Sequence, residues 1–190
     1  DLLARLQQLA AARRSTVFMT VHAAFAVLLA RLSGSDDIAV GSPIAGRGHR
    51  ALDDLVGMFV NTVVLRTRVE AAESFAALLD RVRETDLAAF AHADVPFERL
   101  VAELDPPRSQ AHHPLYQVAL SFQNFGGARL ELPDLVVAAV DLGDEVAPTD
   151  LQLTVVPLED TDGPAGLRCS WRYATDLFEV GTIQALERSL

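Results

Sequence analysis

Few residues in this chain have the side chains for catalysis, and their neighbours decide what each could do. His112-His113 offers two adjacent imidazoles. It runs into Pro114-Leu115-Tyr116-Gln117, with no nearby carboxylate to orient a ring and no third ligand at metal spacing. The pair reads as a polar loop leading into the next strand. His92 stands at a predicted helix end beside Asp94, an ordinary setting for a carboxylate-supported imidazole. Cys169 alternates with Leu167, Trp171 and Tyr173, which predicts a buried structural thiol. Gly41-Ser42-Pro43 lacks the Gly-x-Ser-x-Gly of a nucleophile elbow. Gly46 and Gly48 lack the third glycine and following helix of a dinucleotide loop. These residues form no complete catalytic constellation and no metal site.

The most informative polar residue is Asn61. The stretch from Gly57 to Arg66 predicts a strand in which Phe59, Asn61, Val63 and Leu65 share one face. A buried primary amide without partners costs about 1–3 kcal/mol, so an asparagine on an apolar face must be satisfied. Asn61 is either a core asparagine bonded to neighbouring backbone or a group facing a channel through which a substrate passes. The first reading predicts that substitution costs stability, the second that it costs turnover.

Composition narrows the class. The chain has 190 residues, 50% hydrophobic and 22% charged, enough to bury a real core. A net charge of −10 lacks the basic footprint that nucleic acid requires. All 16 basic residues are arginine, which excludes a Schiff-base lysine and a phosphate-loop lysine. One cysteine permits no internal disulfide and suits a reducing, cytoplasmic setting. No apolar run approaches the roughly 18 residues of a membrane span. The chain opens within a helical pattern, without methionine, and reads as a piece of a longer polypeptide.

Periodicity supplies the elements that must position these residues. Leu2, Leu3, Leu6 and Leu9 predict a first helix to about Arg14. Ser15 or Thr16 caps a second, ended by Gly34. Ile38–Ile44 is a strand leading into a turn-rich segment around Gly46-Arg47-Gly48. Ser74 caps a helix carrying Phe75, Leu78, Leu79, Val82 and Phe90, and Pro96 opens a short one from Phe97 to Leu104. Tyr116–Phe125 is a strand, followed by a Gly126-Gly127 turn and an extended stretch around 136–140. Leu151–Pro157 and Leu167–Tyr173 form a hairpin pair, and a last helix begins near Glu179. The class is α/β or α+β, a mixed sheet backed by helices.

The motifs, taken in order, resemble those of the condensation domains of non-ribosomal peptide synthetases. One match is Asp37-Ile38-Ala39-Val40-Gly41-Ser42-Pro43-Ile44-Ala45-Gly46-Arg47. The next is Val56-Gly57-Met58-Phe59-Val60-Asn61-Thr62 with Leu65-Arg66. His92-Ala93-Asp94-Val95-Pro96-Phe97-Glu98-Arg99-Leu100 and Pro114-Leu115-Tyr116-Gln117-Val118, running to Gln123-Asn124, continue the signature. Tyr173-Ala174-Thr175-Asp176-Leu177-Phe178 closes it. The Phe-Val-Asn-Thr form is similar to peptide-forming members rather than to the epimerisation or heterocyclisation relatives.

The resemblance implies a domain of two lobes similar to chloramphenicol acetyltransferase, of which residues 1–190 match the C-terminal one. The family's catalytic His-His-x-x-x-Asp-Gly belongs to the other lobe. His112-His113 lacks its Asp-Gly, so this chain has no catalytic residue of its own and by itself is expected to be inactive. The implied activity, acyltransferase in type, is peptide-bond formation between a carrier-bound donor acyl or peptidyl thioester and an acceptor aminoacyl thioester, in antibiotic or other secondary-metabolite synthesis. The chain would bind no cofactor, its substrates arriving on phosphopantetheine arms. Partners would be the N-terminal lobe, upstream and downstream peptidyl carrier domains and an adenylation domain, with no nucleic acid and no membrane. Asn61, Thr62, Gln117, Ser121 and Gln123 would line the channel, although the polar side of the strand from Tyr116 equally suits water. Arg47, His92, Glu98 and Asp150 would hold loops and motif structure, Arg47 as an ion-pair anchor or a cleft residue. The family often has a lysine shortly before an aspartate like Asp150, where this chain has Ala147-Pro148-Thr149. The alternative is a non-catalytic module that docks carrier or neighbouring domains.

Overall fold

The computed structural model of the chain describes residues 2–107, 109, 112–123, 135, 146–160 and 163–190. The expected Gly126-Gly127 turn, the stretch around 136–140, Asn124 and the tip of the last hairpin lie outside them.

Local signals place most helices. α1 (Leu2–Ala12) and α2 (Val17–Ser33) meet at a tight corner. The Thr16 hydroxyl accepts from the Met19 N–H at 3.2 Å, and Gly34 closes α2 in the left-handed region at φ 69°. Ser74 caps α3 (Phe75–Ala91) through the Ala77 N–H. Pro96 is the N-cap of α4 (Phe97–Leu104), which has the expected bounds. α5 (Val180–Ser189) follows Glu179.

Five strands form one mixed sheet in the order β2-β1-β3-β4-β5. They are β1 (Asp37–Ile44), β2 (Asn61–Arg68), β3 (Val118–Phe122), β4 (Leu151–Asp160) and β5 (Gly163–Tyr173). β1/β2 and β4/β5 are antiparallel, whereas β3 runs parallel to both β1 and β4. The expected class is observed: a mixed sheet backed by helices.

Pairing register divides the side chains. Ile38, Val40, Leu65, Leu120, Leu153 and Val155 face the helices, where Phe25 and Leu28 of α2 and Ile183 and Leu186 of α5 complete the core. A second cluster joins Met19 and Ala23 of α2 to Leu78, Leu79 and Val82 of α3. The opposite face carries Thr62, Arg66, Ser121, Gln152, Thr154 and Ser170.

Three expectations are corrected. The Asn61 strand starts at Asn61, because pairing with β1 begins at Ile44↔Asn61 and Met58 and Val60 stand exposed before it. β3 is shorter than Tyr116–Phe125, because Tyr116 leaves the strand to pack on Gly41. Cys169 is exposed: it lies on the helix-facing side of β5, but the strand is the sheet's edge and its neighbours leave it uncovered. Partial burial and the Glu187 carboxylate raise its pKa, the opposite of what activates a thiol.

Between β2 and α3, burial pushes Glu73 up, but the Arg81 guanidinium and the Glu70 N–H at 3.0 Å outweigh it and hold the carboxyl below its ordinary value. Arg81 also donates to the Arg68 carbonyl at 2.7 Å. A depressed carboxyl stabilises above its unfolded value and loses that contribution as pH falls through its folded value. Glu73→Gln should therefore be less stable than the parent near about pH 6, with the gap narrowing as pH falls below the ordinary carboxylate range, measured by urea unfolding. A gap that stays constant as pH falls would show that the contribution is not ionic.

Candidate functional site

Two hollows meet at Val60, which lines both. The first, of ≈ 480 Å³, lies at the C-terminal ends of β1 and β3, bounded by Ser42, Ser121 and Gln123 and backed by Phe18 and Phe90. β1 and β3 are parallel neighbours, and ligands of open α/β sheets bind beyond the carboxyl ends of such strands. The second, of ≈ 410 Å³, is walled by Asn61, Thr62, Glu98, His113 and Tyr116.

Asn61 heads the helix-facing side of β2, beyond Val63 and Leu65. Its Nδ2 donates to the Ala93 carbonyl at 3.0 Å and the Val95 carbonyl at 2.7 Å, and its Oδ1 accepts from the Phe97 N–H at 3.1 Å. The amide thereby caps the connection between α3 and α4, satisfying backbone groups that a helix start leaves open. Thr62 points to the other face and bonds the Tyr116 hydroxyl. Burial raises the Tyr116 pKa, with the Thr62 bond acting against it. Tyr116 rests on Gly41, where an added Cβ would lie 2.3 Å from the ring.

The other expected residues separate. Ser121 and Gln123 line the strand-end hollow together. Gln117 is exposed at the far end of β3, its Nε2 donating to the His113 carbonyl at 3.0 Å. Glu98, in the first turn of α4, lines the second hollow. His92 is exposed and closes α3, its backbone N–H reaching the Ala89 and Phe90 carbonyls, without an ion pair to Asp94. Asp150 precedes β4, and its backbone carbonyl accepts from the Ala174 N–H at 2.9 Å. Arg47 is a loop anchor: it donates to the Leu52 carbonyl and to the Leu55 carbonyl at 2.9 Å, and its guanidinium lies 4.3 Å from the Phe59 ring centre. It holds carbonyls rather than a carboxylate.

Sequence reasoning passed over His113 and Tyr116 as wall residues. Their rings lie 4.0 Å apart, and Phe97 is 5.2 Å from His113. His113 Nδ1 is buried without a partner, and desolvation lowers the ring's pKa. No carboxylate orients it, so it lacks what a general base requires. The available signal was Gly41, a glycine inside a strand, which marks a close approach. Among the described residues no cluster of three metal-ligating side chains occurs.

The wall is thus neutral and hydrogen-bonding at the strand ends and aromatic beside Asn61. The family model for the condensation domain matches residues 1–190. The chain belongs to the condensation-domain family. This condensation-domain chain is 49% identical over 183 residues to a dimodular nonribosomal peptide synthase of Bacillus subtilis (strain 168), covering 96% of the chain and 8% of that protein. It is 44% identical over 183 residues to an isonitrile lipopeptide synthase of Mycobacterium tuberculosis, covering 96% and 7%. Among solved structures, the X-domain from teicoplanin biosynthesis superposes with TM-score 0.89 at 31% identity, over 97% of the chain and 42% of that structure. The first condensation domain of the CDA synthetase superposes with TM-score 0.71 at 22% identity, over 96% and 39%. The condensation-domain chain therefore spans less than half of these two solved chains and a small part of the curated relatives. Its fold is the chloramphenicol-acetyltransferase-like one that the motifs implied. No single helix among the described residues is long and apolar enough to cross a membrane.

Proposed function

We propose that this chain is the C-terminal lobe of a peptide-forming condensation domain, and that its two hollows form one wall of the channel in which carrier-bound substrates meet. The supporting observation is the adjacent pair of hollows that share Val60 as a lining residue, with Ser121 and Gln123 at the strand ends and Asn61 and Thr62 beyond. In the reaction the acceptor amine attacks the donor thioester carbon, an amide bond forms, and the pantetheine thiol leaves with the amine's proton. Holding amine and thioester in contact can supply about 7–11 kcal/mol, so such a wall needs shape and hydrogen bonds more than a base. The carrier domains, adenylation domain and N-terminal lobe are the partners of this reading, and the phosphopantetheine arms are substrate tethers.

A second reading, a docking module without catalysis, draws on the likeness to the teicoplanin X-domain, which is also known in complex with OxyB. One experiment separates them. The complete polypeptide containing this lobe is mixed with loaded donor and acceptor carriers, and product on the acceptor carrier is read by mass spectrometry. Turnover supports the channel reading, while carrier binding without turnover supports the docking module. The 190-residue chain alone is expected to yield no product, because the described cleft offers no oriented base and the chain has no His-His-x-x-x-Asp-Gly. Product from it alone would overturn that division of labour.

A further inference from the structure

Three side chains buried behind the cleft form a polar chain that channel binding does not use. His22 of α2 places Nδ1 3.1 Å from Asp86 Oδ2 on α3 and Nε2 3.4 Å from Thr67 Oγ1 on β2. Hydroxyl, imidazole and carboxylate in that order are the groups of a nucleophilic triad. Burial excludes that use: His22 and Asp86 are 0% exposed and Thr67 is 4% exposed, so no acyl group reaches the hydroxyl.

Their placement suggests a mechanical role. Thr67 and Asn61 lie on the same face of β2, at opposite ends of the strand. α3 is fastened to β2 twice, at Asp86 through His22, and just past its last residue Ala91 through Asn61. Asp86 precedes that end by about one and a half turns. Beyond the helix end, Ala93, Asp94, Pro96, Phe97 and Glu98 are part of the wall of the second hollow.

We propose that the Thr67–His22–Asp86 chain is a positioning device for the cleft, fixing where α3 lies so that its C-terminal end presents the 93–97 backbone to Asn61. Apolar ridges alone permit neighbouring packings of similar energy, whereas a buried hydrogen-bonded pair accepts a single register. Packing alone does not account for the pair either, because Asp86 Oδ1 is buried without a partner and two leucines would leave no such atom.

The proposal rests on the channel reading only for its activity readout. His22→Leu alone would strand a buried carboxylate, so the informative variant is H22L/D86L in the complete polypeptide, beside Asp86→Asn. In the double variant, amide hydrogen exchange across Ala93–Phe97 should rise at least tenfold and KM for the loaded acceptor carrier should rise at least tenfold, with the melting temperature nearly unchanged. Asp86→Asn keeps an oxygen for Nδ1 and should retain most of the protection. Native exchange at 93–97 in the double variant, or acceleration spread evenly over every element, would overturn the proposal. If the parent polypeptide forms no amide at all, the channel reading falls and the exchange measurement still decides this one.

Discussion

Asn61→Asp is expected to destabilise this domain at least as much as Asn61→Leu, by about 2–4 kcal/mol, although it is the smaller chemical change. The amide's nitrogen donates to two carbonyls, Ala93 and Val95, and only its oxygen accepts, from the Phe97 N–H. A carboxylate keeps the acceptor and replaces the donor with a second oxygen facing those carbonyls, so two attractive contacts become repulsive. Leucine leaves all three backbone groups without a partner but adds no repulsion. For a chain of this size, each kcal/mol shifts the melting temperature by about 2–4 °C, so the loss is easily read.

Turnover in the complete enzyme separates the two roles. Ala93, Asp94, Pro96, Phe97 and Glu98 belong to the wall of the second hollow. On the channel reading proposed above, releasing them should lower amide formation per folded molecule by about tenfold or more, roughly 1.4 kcal/mol. Asn61→Ala should sit between the parent and Asn61→Asp in both measurements. An asparagine that meets substrate directly through its oxygen would instead tolerate aspartate better than alanine. That order, with stability unchanged, would sink the positioning account of Asn61.

The fold was legible wherever one signal sufficed. Thr16 and Gly34 mark both ends of α2, and Ser74 marks the start of α3, because caps are local chemistry. Alternation put Asn61 with Val63 and Leu65 correctly, yet it placed the strand's start too early, because exposure of Met58 and Val60 depends on a partner strand that ends at Ile44. Cys169 failed for the related reason that alternation names a face and not what covers it. The largest omission was the His22–Asp86 pair, 64 residues apart. Each looks harmless alone. Asp86, however, falls on the stripe of Leu78, Leu79 and Val82, and His22 lies among Met19, Ala23 and Phe25. Two polar residues on apolar helix stripes need each other, which is a usable signal. The aromatic wall left a weaker trace: Gly41 marks a close approach to its strand, but which rings gather there depends on the tertiary packing of Phe97, His113 and Tyr116.

Gly46→Ala is expected to be the most damaging single methyl in the described chain. Gly46 sits at φ 64°, where an L-residue costs about 1 kcal/mol or more. An added Cβ would also lie 1.6 Å from the Phe59 carbonyl oxygen, which is backbone and has nowhere to rotate. Relieving that overlap must move the 45–48 turn away from residues 57–60. The movement would pull the Arg47 guanidinium off the Phe59 ring and away from the Leu52 and Leu55 carbonyls that it bonds. It would also shift Val60, which lines both hollows. The combined loss should reach about 3–5 kcal/mol, at the upper end of single substitutions. Gly48→Ala is the matched control, because no atom lies within 4 Å of its added Cβ and its φ is not positive. It should change the melting temperature by no more than a degree or two. If Gly46→Ala proves as mild as Gly48→Ala, residues 45–48 and 57–60 do not pack as described, and the shared wall at Val60 loses its structural basis.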